Sequence, residues 1–298
     1  MTLGDSELGI SERPQKTIRD QVSFSGIGIH SGKWVELTLS PALANTGIQF
    51  QRSDIPESPS IPAIVDSVVD TRRCTVIGKH GFCVGTIEHL CAALKAYEVD
   101  NVLVRVSDQE LPIGDGSAKV FVDLIEQAGI QTQECMTPIL TLNQPIYWAD
   151  EKSYMMALPY DGVRFSYSLH YPNSEILQNQ FHSHLLLSED FKKEIAPCRT
   201  FACYEEVQPL MDRGLIKGGS LENTVVIKDG NILNEGGIRF ENEMARHKLL
   251  DMVGDFSLTG LNIHAHIIGH RTGHQANIQF ASQLCKVLKV KELQCQPT

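Results

Sequence analysis

Three acid–base side chains are stacked along one stretch, Arg246-His247-Lys248-Leu249-Leu250-Asp251-Met252-Val253-Gly254-Asp255. Leu249, Leu250, Met252 and Val253 recur at helical spacing, which predicts a helix packed on a core. His247, Asp251 and Asp255 then fall at i, i+4 and i+8, one above another on one face. Such a stack is either a solvated face with a local ion pair, or two metal ligands followed by a carboxylate that orients a neighbour. The second reading needs a third ligand from elsewhere. His89 is the candidate, in the first turn of an apolar helical pattern that starts near Thr86, a plausible cap. Two neutral imidazoles and one carboxylate leave an open position on tetrahedral Zn2+, the arrangement of a hydrolytic site. Bound zinc lowers the pKa of its water to about 7, supplying hydroxide at neutral pH. Glu88 lies about 100° around the helix from His89 and could reach that water as general base. An acid at a helix N-terminus is also favoured by the dipole alone. His274 follows a glycine just before a helix. Asp255 could orient it and keep it protonated, to stabilise an oxyanion or to protonate a leaving nitrogen. Lys248 either adds positive charge beside the site or is a surface residue.

The elements that must position these residues read as α+β. Strands are predicted near 22–25, 35–41, 47–50, 73–77 and 101–106, with a glycine-rich turn at 26–33 and a Ser/Pro-rich loop at 53–62. Asp115-Gly116-Ser117-Ala118 opens a second helix that Gly129 ends. Residues 131–138 (QTQECMTP) are polar and close with proline, which marks a linker between domains at 17–130 and 139–298. Residues 1–16 read as a disordered tail. Beyond the linker the order of elements repeats. The helix containing His247 and the strand near 262–268 echo the helix of His89 and the strand after it. Thr272-Gly273-His274 opens a last helix, as Asp115-Gly116-Ser117 does earlier. Two such units facing each other would bring His89 and His247 together at their interface, a favoured place for a site. His264, His266 and His270 share a strand face and imitate a metal cluster, but the His89–His247–Asp251 set explains a mononuclear site without them. His182 and His184 sit in a polar segment expected to be mobile and take no role.

A composition of 42% hydrophobic and 21% charged residues is that of a globular chain. A net charge of -10 argues against a nucleic-acid partner, which needs a basic face. No apolar run approaches 18 residues, so no membrane-spanning helix or stable insertion is expected. The 8 cysteines are scattered and form no CxxC, which fits reduced thiols in the cytoplasm.

Thr86-Ile87-Glu88-His89-Leu90, Leu111-Pro112-Ile113-Gly114-Asp115-Gly116-Ser117-Ala118, Arg199-Thr200-Phe201, Gly218-Gly219-Ser220, Arg246-His247-Lys248-Leu249-Leu250-Asp251 and Gly273-His274 follow in one order. In that order they resemble the UDP-3-O-acyl-N-acetylglucosamine deacetylases, the zinc amidohydrolases of lipid A synthesis. The resemblance runs from about Thr17 to about Lys289. It implies two α+β halves, each a sheet backed by helices, with the helical layers packed together and the active site between them. It implies His89, His247 and Asp251 on Zn2+ (or Fe2+) and Glu88 as general base. It also implies His274 held by Asp255, Thr200 at the oxyanion and Lys248 beside the substrate. An insert near 201–220 would form an apolar passage for the 3-O-acyl chain, with Phe201, Val207, Leu210, Leu215, Ile216 and Gly219 as candidate lining. Arg271 matches a cationic position near the nucleotide. Gly114, Ala202 and Lys217 depart from residues common in the family. The substrate implied is a UDP-linked acylated glucosamine, and a monomer is expected. The non-enzymatic alternative is a duplicated binding module that grips such a lipid without cleaving it.

Overall fold

Apolar and polar residues alternate through Trp34–Pro41, and Val35, Leu37 and Leu39 are buried while Trp34 and Glu36 face out. That is the pattern of a strand with one covered face. The computed structural model describes residues 9–172 and 174–294. Its first half runs β1 (Gly9–Ile18), β2 (Val22–Ile27), β3 (Trp34–Pro41), β4 (Ile48–Arg52), β5 (Ile61–Pro62), β6 (Val68–Asp70), β7 (Val76–Lys79), β8 (Phe82–Val84), α1 (Glu88–Ala96), β9 (Val102–Val106), α2 (Lys119–Ala128) and β10 (Ile130–Thr141). The second half runs β11 (Ile146–Ala149), β12 (Tyr154–Leu158), β13 (Val163–Leu169), β14 (Gln180–Leu185), α3 (Ser188–Glu194), β15 (Phe201–Cys203), α4 (Tyr204–Met211), β16 (Val225–Lys228), β17 (Asn231–Ile232), α5 (Glu243–Ser257), β18 (Asn262–His270) and α6 (His274–Gln294). Among the described residues no helix is long and apolar enough to cross a membrane.

The repeat read in the sequence is a repeat of topology. One sheet has the order β2-β3-β9-β4-β5, and the other contains β11-β12-β18-β13-β14. In each, the central strand pairs antiparallel on one side (β3, β12) and parallel on the other (β4, β13). Each half also carries a three-stranded insertion, β6-β7-β8 before α1 and β15-β16-β17 before α5. Helices α1, α2, α5 and α6 form the layer between the halves, with α1 against α5, α2 against α1 and α6 against α5. Small residues make that contact close: Cys91, Ala92 and Ala93 are buried on α1. On α5, a Cβ added to Gly254 would fall 2.0 Å from the carbonyl oxygen of Glu88. The first turn of α1 therefore rests directly on the backbone of α5.

Five sequence expectations change. Residues 9–16 are not a tail but part of β1; residues 1–8 lie outside the described residues. Residues 131–138 are not a linker but lie inside β10, which pairs antiparallel with β1 and, through Ile139–Thr141, parallel with β18. This two-stranded strap is largely exposed, so it has no apolar period to read. It is fixed instead by ladder bonds and by the Arg13 fork on Asp100, at 2.8 and 2.9 Å. Pro14 sits where the register shifts, a place that tolerates a missing N–H. Thr86 does not cap α1: its backbone is left-handed (φ 57°), its hydroxyl turns to Glu110, and the helix starts at Glu88. His182 and His184, expected in a mobile segment, lie on β14. The helix of His247 also starts a turn early, at Glu243, so that His247 lies in its second turn.

Candidate active site

Each half contributes one helix to a buried cluster at the interface. His89 comes from the first turn of α1; His247, Asp251 and Asp255 come from one face of α5. The Asp251 Oδ1 lies 3.5 Å from His89 Nε2 and 3.4 Å from His247 Nε2. The two imidazoles meet edge to face with centroids 5.0 Å apart. Ligands at about 2.0–2.2 Å around a tetrahedral ion sit roughly 3.4 Å from one another, so the donors are already spaced for one. All three donor side chains are buried.

The surroundings set their protonation. His247 Nδ1 lies 3.0 Å from the Cys198 carbonyl, which it meets as an N–H donor, leaving Nε2 with its lone pair toward Asp251. Burial pushes His247 down to about 4, so the ring is neutral at pH 7. Burial opposes the charge on Asp251, but Lys248 and His247 outweigh it and hold the carboxyl well below its ordinary range. Lys248 donates to the Asp251 Oδ2 at 2.8 Å, leaving Oδ1 for the histidines.

Glu88 is buried beside this cluster. Its Oε2 accepts the Thr75 N–H at 3.0 Å, while its Oε1 faces His274 Nε2 at 3.9 Å. Burial raises its pKa, and His274 and His89 oppose that rise. His274 stands at the start of α6, where the helix dipole disfavours a cation. Its Nδ1 nevertheless donates to Asp255 Oδ2 at 2.9 Å. Burial works against its charge, and Asp255 with Glu88 overrides burial and raises it to about 9. Asp255 is fully buried and also accepts from the Thr75 hydroxyl (2.6 Å) and from Asn277 (2.8 Å).

A cavity of about 250 Å³ opens onto these groups, lined by Glu88, His89, His247, Lys248, Asp251, His274, Thr200 and Arg73. Thr200 is placed by its N–H to the Gly116 carbonyl, 2.8 Å. On its apolar side are Phe201, Val207, Leu210 and Ile216. Val207 and Ile216 also line a neighbouring cavity of about 250 Å³ with Gly219, Met211, Leu221 and Leu233. Leu215 is not brought to either wall and stays 42% exposed. A third cavity of about 610 Å³ is lined by Arg73, Ser153, Lys248 and His274. Arg271 does not line it but abuts it, its carbonyl accepting from Ser153.

Several positioning groups escaped the sequence reading. Thr75 bridges Glu88 and Asp255 through one N–H and one hydroxyl, and an isolated threonine gives no pattern to find. Arg199 grips the buried Glu243 through Nε (2.9 Å) and Nη2 (3.1 Å), tying the segment of Cys198 and Thr200 to the first turn of α5. Arg73 reaches two cavities from a left-handed backbone (φ 69°). Of these only Arg199 stood in a motif the sequence offered, Arg199-Thr200-Phe201, and its role there was not read.

Two imidazoles and a carboxylate around one open face, with a second carboxylate unshared beside them, define the donor set of a metal-dependent hydrolase. Residues 15–286 match the family model described as UDP-3-O-acyl N-acetylglycosamine deacetylase. A relative named UDP-3-O-acyl-N-acetylglucosamine deacetylase, from Chlamydia caviae, is 48% identical over 278 residues, 93% of this chain and 99% of that one. Relatives with the same name from Chlamydia felis and Chlamydia pneumoniae are 47% and 44% identical, covering 93% and 94% of this chain and 99% of each of theirs. The chain belongs to the UDP-3-O-acyl-N-acetylglucosamine deacetylase family.

Proposed function

We propose that the chain removes the N-acetyl group of UDP-3-O-acyl-N-acetylglucosamine as acetate, an early step of lipid A synthesis, with one Zn2+ held by His89, His247 and Asp251. Fe2+ suits the same nitrogen and oxygen donors. The observation that carries this reading is the 3.4–3.5 Å spacing of the donors around Asp251 Oδ1, next to the unshared Oε1 of Glu88. When bound, the ion acidifies a water and polarises the amide carbonyl. Glu88 Oε1 would take a proton from a water at the open face of the cluster, its other oxygen held by Thr75. Thr200 donates to the carbonyl oxygen as it gains charge, and Lys248 adds positive potential from beside Asp251. His274, charged and held by Asp255, stabilises that oxygen or protonates the leaving amine.

The acyl chain lies along Phe201, Val207, Leu210 and Ile216 and on into the neighbouring apolar cavity past Gly219. Each buried methylene contributes about 0.8 kcal/mol, so the reach of this passage selects chain length. Arg73, Lys248 and Arg271 stand by the larger cavity to offset the diphosphate. The buried free thiols Cys74, Cys91 and Cys198 fit a reducing cytoplasmic setting, and we take the working unit to be a monomer.

Acetate release from substrates of graded acyl length, with and without chelator, tests the reading; release that ignores the chelator rejects it. His247→Ala removes one equivalent of bound metal, measured by elemental analysis, and retention of that equivalent takes His247 out of the site.

The raised pKa of His274 sets a pH dependence. The ring is protonated at neutral pH and loses its proton as pH rises through about 9, so turnover falls on the basic side there. His274→Gln, which has no titrating proton, flattens that limb of the kcat profile. A limb that stays in place in the variant assigns it to another group.

A further inference from the structure

His182 and His184 stand two residues apart on β14, so their rings leave the strand on the same face. Their partners across the ladder, Tyr167 and Phe165, are buried, which places both imidazoles on the helical side of the sheet. The rings are nearly parallel, with centroids 5.9 Å apart and planes 27° from each other. The Nε2 atoms of both are buried and, among the described residues, make no hydrogen bond. Buried polar atoms are almost always satisfied, and two such imidazole nitrogens on neighbouring, nearly parallel rings point to a shared ligand. Glu194, the last residue of α3, brings its Oε2 to 4.0 Å from His182 Nε2. One donor atom from each of the three lies within 4.8 Å of the others.

We infer that His182, His184 and Glu194 form a second site for a divalent cation, which clips β14 to the end of α3. Two imidazoles with one carboxylate suit zinc, cobalt or nickel rather than calcium or magnesium. The strand fixes the two histidines, and the half-exposed Glu194 side chain is the arm that closes the remaining gap. A simple histidine–glutamate ion pair is the competing account, and protonation argues against it. Burial pushes His182 down to about 4 and lowers His184 as well, leaving neutral rings with lone pairs. Arg246 already reaches Glu194 Oε2 at 3.3 Å, so the ion must share that carboxylate. This site therefore binds more weakly than the His89–His247–Asp251 cluster and fills after it. Its place in the chain gives it a use: α3 leads directly into Cys198, whose carbonyl holds His247, and Thr200.

The test is a Co2+ titration of the full chain after chelator treatment, with bound metal measured by elemental analysis after gel filtration. Wild type holds two equivalents, and His247→Ala and His184→Gln hold one each. The double variant holds none. Should His184→Gln fail to fold, Glu194→Gln, altered at a half-exposed side chain, reports the same loss of one equivalent. A wild type saturating at one equivalent that His247→Ala abolishes overturns the second site and leaves the catalytic reading intact. Two equivalents retained in both His184→Gln and Glu194→Gln also overturn it. A single equivalent lost in His184→Gln but kept in His247→Ala supports this site and removes the catalytic one.

Discussion

Replacing Glu88 with glutamine leaves metal content unchanged and lowers acetate release by about 10²–10⁴-fold, the usual worth of a positioned general base. The two side chains have the same shape, and the amide oxygen of glutamine can accept the Thr75 N–H as Glu88 Oε2 does at 3.0 Å. His89, His247 and Asp251 keep their neighbours, so the ion has no reason to leave. What is lost is the proton acceptor, since an amide has negligible basicity at neutral pH. The change also removes a buried carboxylate that stands among Asp251 and Asp255, so it does not destabilise the fold through an unpaired charge. A second sign follows from the same contact. Glu88 helps to raise His274, so the basic limb of the residual activity moves to lower pH in this variant. Metal analysis and a pH–rate series on one preparation read both effects. Turnover within a few-fold of wild type would take Glu88 out of the reaction.

The second large effect comes from one methyl group. Gly254→Ala puts a Cβ 2.0 Å from the Glu88 carbonyl oxygen and 2.7 Å from its carbon, contacts that only backbone movement can relieve. Overpacking of this kind costs about 1–3 kcal/mol, set against a gain of up to about 1 kcal/mol from alanine in a helix interior. Net destabilisation is expected, seen as a lower urea midpoint. Activity falls further than stability. The displaced backbone is that of Glu88, one residue before His89, while the residue that displaces it is three after Asp251 and one before Asp255. The two helices that hold the donors are thus pushed apart at the donors themselves. A misplacement of 1 Å can cost about 10²-fold. Unchanged kcat together with an unchanged midpoint would show that α1 and α5 yield freely.

Much of this site was legible in the sequence because helical period is a strong signal. The i, i+4, i+8 stack of His247, Asp251 and Asp255 follows from spacing alone, and the structure places all three on one face of α5. The halves were legible too, because repeated element order survives where identities do not, and the sheets repeat strand for strand. Groups that act through the backbone were not legible. The Cys198 carbonyl and the Thr75 N–H have no sequence signature, since every residue carries those atoms. The strap of β1 and β10 was missed for another reason: it is held by ladder bonds and polar side chains, and hydrophobic patterning is blind to both. Leu215 failed because apolar character inside an insert does not say which way a residue points.

The strap also governs how the molecule can open. A strand from the start of the chain, β1, lies zipped along β10, and β10 in turn is stitched to β18 at the heart of the opposite sheet. Swinging the halves like a clamshell would tear both seams and drag Arg13 off Asp100. What borders the cleft outside that tied frame is the add-on α4, which carries Val207 and Leu210 to its wall.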